Sequence, residues 1–217
     1  MKGLLKKDFS LMKGQKQFFL VAVIFAFVFL FVNKMITFGV SYLMIMFLMF
    51  TLSTITYDEY DNGYAFLFTL PISRKLYVKE KYVFCALIST VVCVINSVLI
   101  LVLTLIRENP ESALDLLIAC LAAFATGMVM MAIMIPVQLK FGSEKRQLAM
   151  VIGFVGLFLL FFLGSWFMDH FEVPKQLMKM VVELPLAMVI CLCIVLIAVA
   201  VVISYVISVR IMEKKEF

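Results

Sequence analysis

Residues 83–106 read VFCALISTVVCVINSVLILVLTLI, 24 residues without a charged side chain. A helix rises about 1.5 Å per residue, so this run would be about 36 Å long. The hydrocarbon core of a bilayer is about 30 Å thick. The run therefore matches one membrane crossing. It must cross as a helix, because lipid offers no partner to an open backbone N–H or C=O.

Comparable runs lie on both sides of it. Upstream are residues 18–32 and 35–55, separated by Asn33 and Lys34. A single tilted helix over both would be about 57 Å long, so a tight turn is expected between them. Downstream are residues 114–135, which Pro136 is expected to end, then 148–167 and 186–209. Apart from Asp115 at the very start of the fourth run, none of these runs carries a charge, and each is rich in residues that insert favourably. The strand alternation of an outer-membrane barrel is absent. The reading is a single all-α, polytopic membrane domain over residues 1–217, with six transmembrane helices. Composition agrees: 65% of residues are hydrophobic and 15% charged, against about 45–50% and about 25% in soluble domains.

Orientation follows from the cations. Fifteen of the 19 Lys and Arg residues fall on the side that holds the N-terminus, the second and fourth loops and the C-terminus. By the positive-inside rule that side is the cytoplasm, with both termini there. The expected location is the cell membrane. The basic start, residues 1–17, is followed by an apolar run but by no A-x-A-like cleavage site, so a retained first helix is expected.

The basic residues are scattered between apolar runs rather than gathered on one face, which argues against nucleic acid as a partner. Cys85, Cys93, Cys120, Cys191 and Cys193 all lie inside apolar runs and form no CxxC, so they read as small packing residues. His170 has no second histidine with which to share a metal. No HExxH, GxSxG, P-loop or intramembrane aspartate pair is present, so no catalytic residue and no chain-bound cofactor is expected. The lack of an ionisable group deep in the spans also weighs against an ion-coupled carrier.

Polar and small residues within the spans are few. Asn96 and Ser97 could bond between helices or line a pathway. Gly127, Gly153 and Gly156 allow close helix approach, within one chain or between two copies. The 16 methionines and 22 phenylalanines fit either lipid-facing filler or an adaptable apolar surface.

Three segments outside the spans stand out. In residues 1–17, Leu5, Phe9 and Met12 recur at helical spacing while Lys2, Lys6 and Lys13 mark another face. That pattern suits an interfacial amphipathic helix on anionic headgroups, or a plain basic flank. Residues 57–82 read YDEYDNGYAFLFTLPISRKLYVKEKY, the longest inward connection. Asp58, Glu59 and Asp61 place negative charge where a short helix could begin. Pro71 should stop that helix, and Ser73 can cap the next. The segment suits a protein contact, or an elbow packed on the membrane. On the outer side, residues 167–185 suit short re-entrant or interfacial helices.

The stretch from Asp58 to Lys81 resembles the permeases of type-2 ATP-binding-cassette exporters: an acidic pair, Gly63, then Leu70-Pro71-Ile72-Ser73-Arg74 and a basic lead into the third span. The opening MKGLLKKDF is similar to the same group. Small members export amphipathic peptides such as phenol-soluble modulins and some lantibiotics. The resemblance implies a second permease subunit, as a homodimer or close paralogue, and two separate ATPase subunits that hold ATP and Mg. It also implies a coupling helix near residues 59–70, with Asp58, Glu59, Asp61, Tyr64, Phe66, Leu67, Leu70, Pro71 and Arg74 carrying the ATPase contact. Residues 1–17 would be the connecting helix. The alternative is a non-transporting immunity or scaffold protein of the membrane.

Overall fold

The computed structural model describes residues 1–31, 36–60, 63–106, 113–142 and 186–215, with isolated positions between 151 and 166. The described residues hold seven helices: α1 Lys2–Gly14, α2 Lys16–Phe31, α3 Ile36–Glu59, α4 Gly63–Leu67, α5 Arg74–Ile106, α6 Ala113–Phe141 and α7 Leu186–Lys214. Among the described residues there is no strand. Among them, too, four stretches are long and apolar enough to cross a membrane: Ile36–Glu59, Arg74–Leu105, Asp115–Phe141 and Ile190–Lys214. The pair α1 and α2 adds a fifth, bent by 68° at the break beside Gln15. The expected span over 148–167 is described only at isolated positions, and the outer segment 167–185, the turn at Asn33 and Lys34, and His170 lie outside the described residues.

The helices form a bundle whose directions follow from side-chain contacts. Phe19 packs on Phe47 and Phe50, while Phe29 packs on Phe38 and Tyr42, so α2 and α3 are antiparallel. The amide of Asn96 on α5 donates to the carbonyl of Val40 on α3 at 3.2 Å. That bond lies at the end of the bundle where Ile36, Ile100, Leu103 and Leu116 form a small apolar core. A larger core, including Met44, Leu48, Phe84, Met131 and Ile135, fills the rest. α7 packs on α6 and α5 but leaves Val195, Leu196, Val199 and Val202 more than half exposed, a surface suited to lipid.

Pro136 does not end its span. α6 continues through it to Phe141, and Gly142 at φ +72° closes the helix with its N–H on the Gln138 carbonyl. Proline in a helix removes the hydrogen bond to the carbonyl four residues earlier, here that of Ala132. Ser204 on α7 donates its hydroxyl to that carbonyl. A neighbouring serine thus satisfies the freed group, which is how membrane helices tolerate proline. Ser204 and Ser208 also meet the Tyr82 hydroxyl of α5, at 2.5 and 2.9 Å, tying three helices at one level.

Gly127 is a packing residue within this chain. A Cβ there would lie 2.6 Å from Leu48 Cδ1 and 3.2 Å from Met44 Cγ on α3, whereas one at Gly156 would meet nothing within 4 Å. Gly153 lies outside the described residues. Overpacking at such a contact costs about 1–3 kcal/mol. Gly127→Leu should therefore lower the unfolding midpoint of the detergent-purified protein, while Gly156→Leu should not. Circular dichroism on heating measures both.

Candidate functional site

The candidate site is the connection between α3 and α5, together with the helix ends that meet it. Asp58 and Glu59 do not open a short helix, as the charge pattern suggested. They form the last turn of α3, and the short helix α4 begins four residues later at Gly63. A carboxylate at a helix C-terminus opposes the helix dipole. Nearby cations offset that cost.

At the centre lies Lys81, whose side chain is fully buried. Its ammonium has three hydrogens to give, and three acceptors surround it. Asp8 Oδ2 of α1 lies at 2.5 Å, Asp58 Oδ2 of α3 at 2.8 Å and Thr54 Oγ1 at 3.0 Å. Lys7 of α1 pairs with the other oxygen of Asp58 and lies 3.4 Å from Asp8. Glu80 is also buried, 3.8 Å from Lys81, and its oxygens have no hydrogen-bond partner among the described residues. Three carboxylates and two ammonium groups thus join α1, α3 and α5.

The same cluster holds α4. The Tyr77 hydroxyl donates to Asp58 Oδ2 at 3.1 Å. Its one proton is thereby committed, so Tyr64 of α4 is the donor across the 3.4 Å contact between the two phenols. Tyr64 also packs edge-on against Tyr77 and stacks on Phe68. Burial lifts the Tyr64 phenol well above its ordinary pKa; the Tyr77 hydrogen bond opposes this, and the charges of Glu59 and Asp58 add to it. Gly63 permits the close start of α4, since a Cβ there would lie 2.6 Å from the Asp58 carbonyl oxygen. α4 ends before Pro71, and Ser73 caps α5 by accepting the Leu76 N–H at 3.2 Å, as its position predicts.

A second set of contacts ties in the C-terminal end. Lys215 pairs with Glu59 at 2.6 Å and donates to the Leu139 carbonyl at 3.3 Å. Arg74, the first residue of α5, donates to the carbonyls of Met212 and Glu213 at 3.2 and 2.6 Å. The ends of α3, α6 and α7 and the start of α5 therefore meet.

The residues singled out from the sequence divide in two. Asp58, Glu59, Tyr64 and Arg74 face inward and hold the connection together. Phe66 and Leu70 project outward, 72% and 44% exposed, with Pro71 also exposed and Leu67 half-buried. Asp61 lies outside the described residues. Asn96 and Ser97 sit far from this region; Ser97 bonds the Cys93 carbonyl of its own helix at 2.9 Å. Sequence reasoning missed Asp8, Thr54, Tyr77 and Lys81. The signal was an acid, Asp8, alone in a helix otherwise basic. The residues 1–17 do form a helix, but Leu4 and Asp8 are buried against the bundle, and Phe9 packs edge-on against Phe84.

Removing one partner of a buried ion pair typically costs about 3–5 kcal/mol, because the other charge stays buried. Lys81→Met should destabilise the protein by that order, and adding Asp8→Asn should recover part of the loss. A double-mutant cycle on the unfolding midpoint measures this coupling.

The chain matches the sequence model of the ABC-2 family transporter proteins over residues 3–213. No curated protein matches it. The match spans α1 to the last turn of α7, including every part of the site above except Lys215, and several apolar helices make the chain a multi-pass membrane protein. This chain belongs to the ABC-2 family of transporter proteins.

Proposed function

We propose that the chain is the membrane subunit of an ATP-driven exporter in a bacterial cell membrane, and that α4 and the turn after it form its contact with a separate ATPase. The observation that carries this reading is the asymmetry of α4. One side chain, Tyr64, is buried and locked to α3 and α5, while Phe66 and Leu70 face outward. An exposed aromatic on a rigidly held short helix is a suitable anchor for a partner's groove. ATP and Mg would be held by the partner, in two copies, beneath a pair of permease subunits. Asp58, Glu59 and Arg74 would act as the mounting of the contact rather than its face.

Helix direction supports six crossings. Lys215 reaches the Leu139 carbonyl, so α6 and α7 end side by side and run parallel. Chain continuity then requires an odd number of crossings between them. The positive-inside count places the shared end, with both termini, in the cytoplasm. An amphipathic or hydrophobic peptide is the proposed cargo, since spans without charge at mid-membrane depth suit a ligand that arrives from the lipid.

Truncating an aromatic anchor at an interface costs about 2 kcal/mol or more. Phe66→Ala should therefore weaken co-purification with the ATPase by about 30-fold and lower substrate-stimulated ATP hydrolysis in vesicles. The unfolding midpoint of the permease itself should not move, because Phe66 is exposed. Undiminished assembly in the Phe66→Ala/Leu70→Ala variant would remove the assignment.

A further inference from the structure

α6 and α7 enclose a groove of about 1400 Å³ on the outer flank of the bundle. Its walls are apolar over most of their length, with Val129, Ile133, Ile203 and Ile207 along them. At the end where the two helices finish, Lys140, Lys214 and Lys215 line it. The groove is therefore apolar along its run and cationic at one end.

Among the described residues the charge at that end is not fully neutralised. Lys215 is committed to Glu59 at 2.6 Å. Glu213, the acid beside Lys214 among the described residues, pairs with Lys75 at 3.5 Å. Among the described residues Lys140 and Lys214 form no ion pair, and both are exposed. Lys140 stands only over the ring of its neighbour Phe141, at 5.7 Å. An occupant that satisfies both features must be long and apolar, with an anion at one end. A zwitterionic lipid fills the apolar walls but leaves the two cations poorly matched. Basic pockets between membrane helices at the headgroup level suit anionic lipids.

We propose that this groove binds an anionic phospholipid, with its acyl chains along Val129, Ile133, Ile203 and Ile207 and its phosphate between Lys140 and Lys214. The site lies beside the Ser204–Ala132 contact that closes the gap left by Pro136, so a bound lipid would brace α7 on α6. It does not depend on the assignment of α4 to an ATPase.

The test uses the full-length purified protein and two photoactivatable lipids, phosphatidylglycerol and phosphatidylcholine, each with a diazirine on one acyl chain. Mass spectrometry should map phosphatidylglycerol to residues 129–141 and 200–214, with competition by unlabelled phosphatidylglycerol but not phosphatidylcholine. Lys140→Gln/Lys214→Gln should reduce phosphatidylglycerol labelling by about fivefold for each lysine, with phosphatidylcholine labelling unchanged. Both lysines are exposed, so folding should persist, and an unchanged unfolding midpoint checks this. A control variant, Lys2→Gln/Lys6→Gln, removes cations outside the groove and should keep the labelling. Equal labelling by the two lipids, no labelling of α7, undiminished labelling of the double variant, or an equal loss in the control would each overturn the site.

Discussion

A lysine ammonium with no exposure to solvent sits between two carboxylates from two other helices, and the arrangement of the helix ends depends on it. Taking such ions out of water costs several kcal/mol each, which only tight geometry and full hydrogen bonding can offset. Lys81 meets that demand with three acceptors for three hydrogens. Asp8 is thereby held by α1, Asp58 by α3 and Lys81 by α5. None of these helices can shift by much without leaving a buried charge uncompensated. α1 is for this reason part of the bundle, fixed by charge as well as by its apolar face.

The other polar contacts gather at the same end. Glu59 and Lys215 join α3 to the end of α7, and Arg74 joins the start of α5 to the last carbonyls of α7. Gly142 lies against Glu59, where a Cβ would approach its Oε1 to 2.5 Å. Among the described residues the opposite end is held differently, by an apolar cluster, the bond from Asn96 to Val40 and weak thiol contacts of Cys120 with Cys93 and Ser97. One end of the protein is thus stiff and polar and the other is packed mainly by dispersion. A force applied at α4 would pass through Tyr64, Tyr77 and Asp58 to three helices together, since discrete packed and ionic contacts deform little. That is the mechanical property a transporter driven from one side requires.

The apolar pattern of the chain was enough to locate helices and membrane segments. Residues 83–106 and 186–209 fall inside α5 and α7, and the opening segment is helical from Lys2 to Gly14, as the spacing of Leu5, Phe9 and Met12 suggests. Local chemistry was legible too: Ser73 caps α5, and α4 lies between Gly63 and Pro71. Pro136 was misleading because its effect on a helix depends on whether a neighbour can bond the freed carbonyl, and Ser204 stands 68 residues away in the chain. Asp58 and Glu59 were misleading because a carboxylate that suits a helix start in water suits a helix end beside buried cations equally well.

The sequence by itself determined the solvent of this protein, the nature of its helices and the family to which its loop belongs. These follow from run length, hydropathy and short-range residue order, which act through neighbours in the chain. Only the tertiary structure decided which charges are buried. Asp8, Asp58 and Lys81 look like ordinary surface residues until α1, α3 and α5 are brought together, because their compensation is a contact between segments up to 73 residues apart.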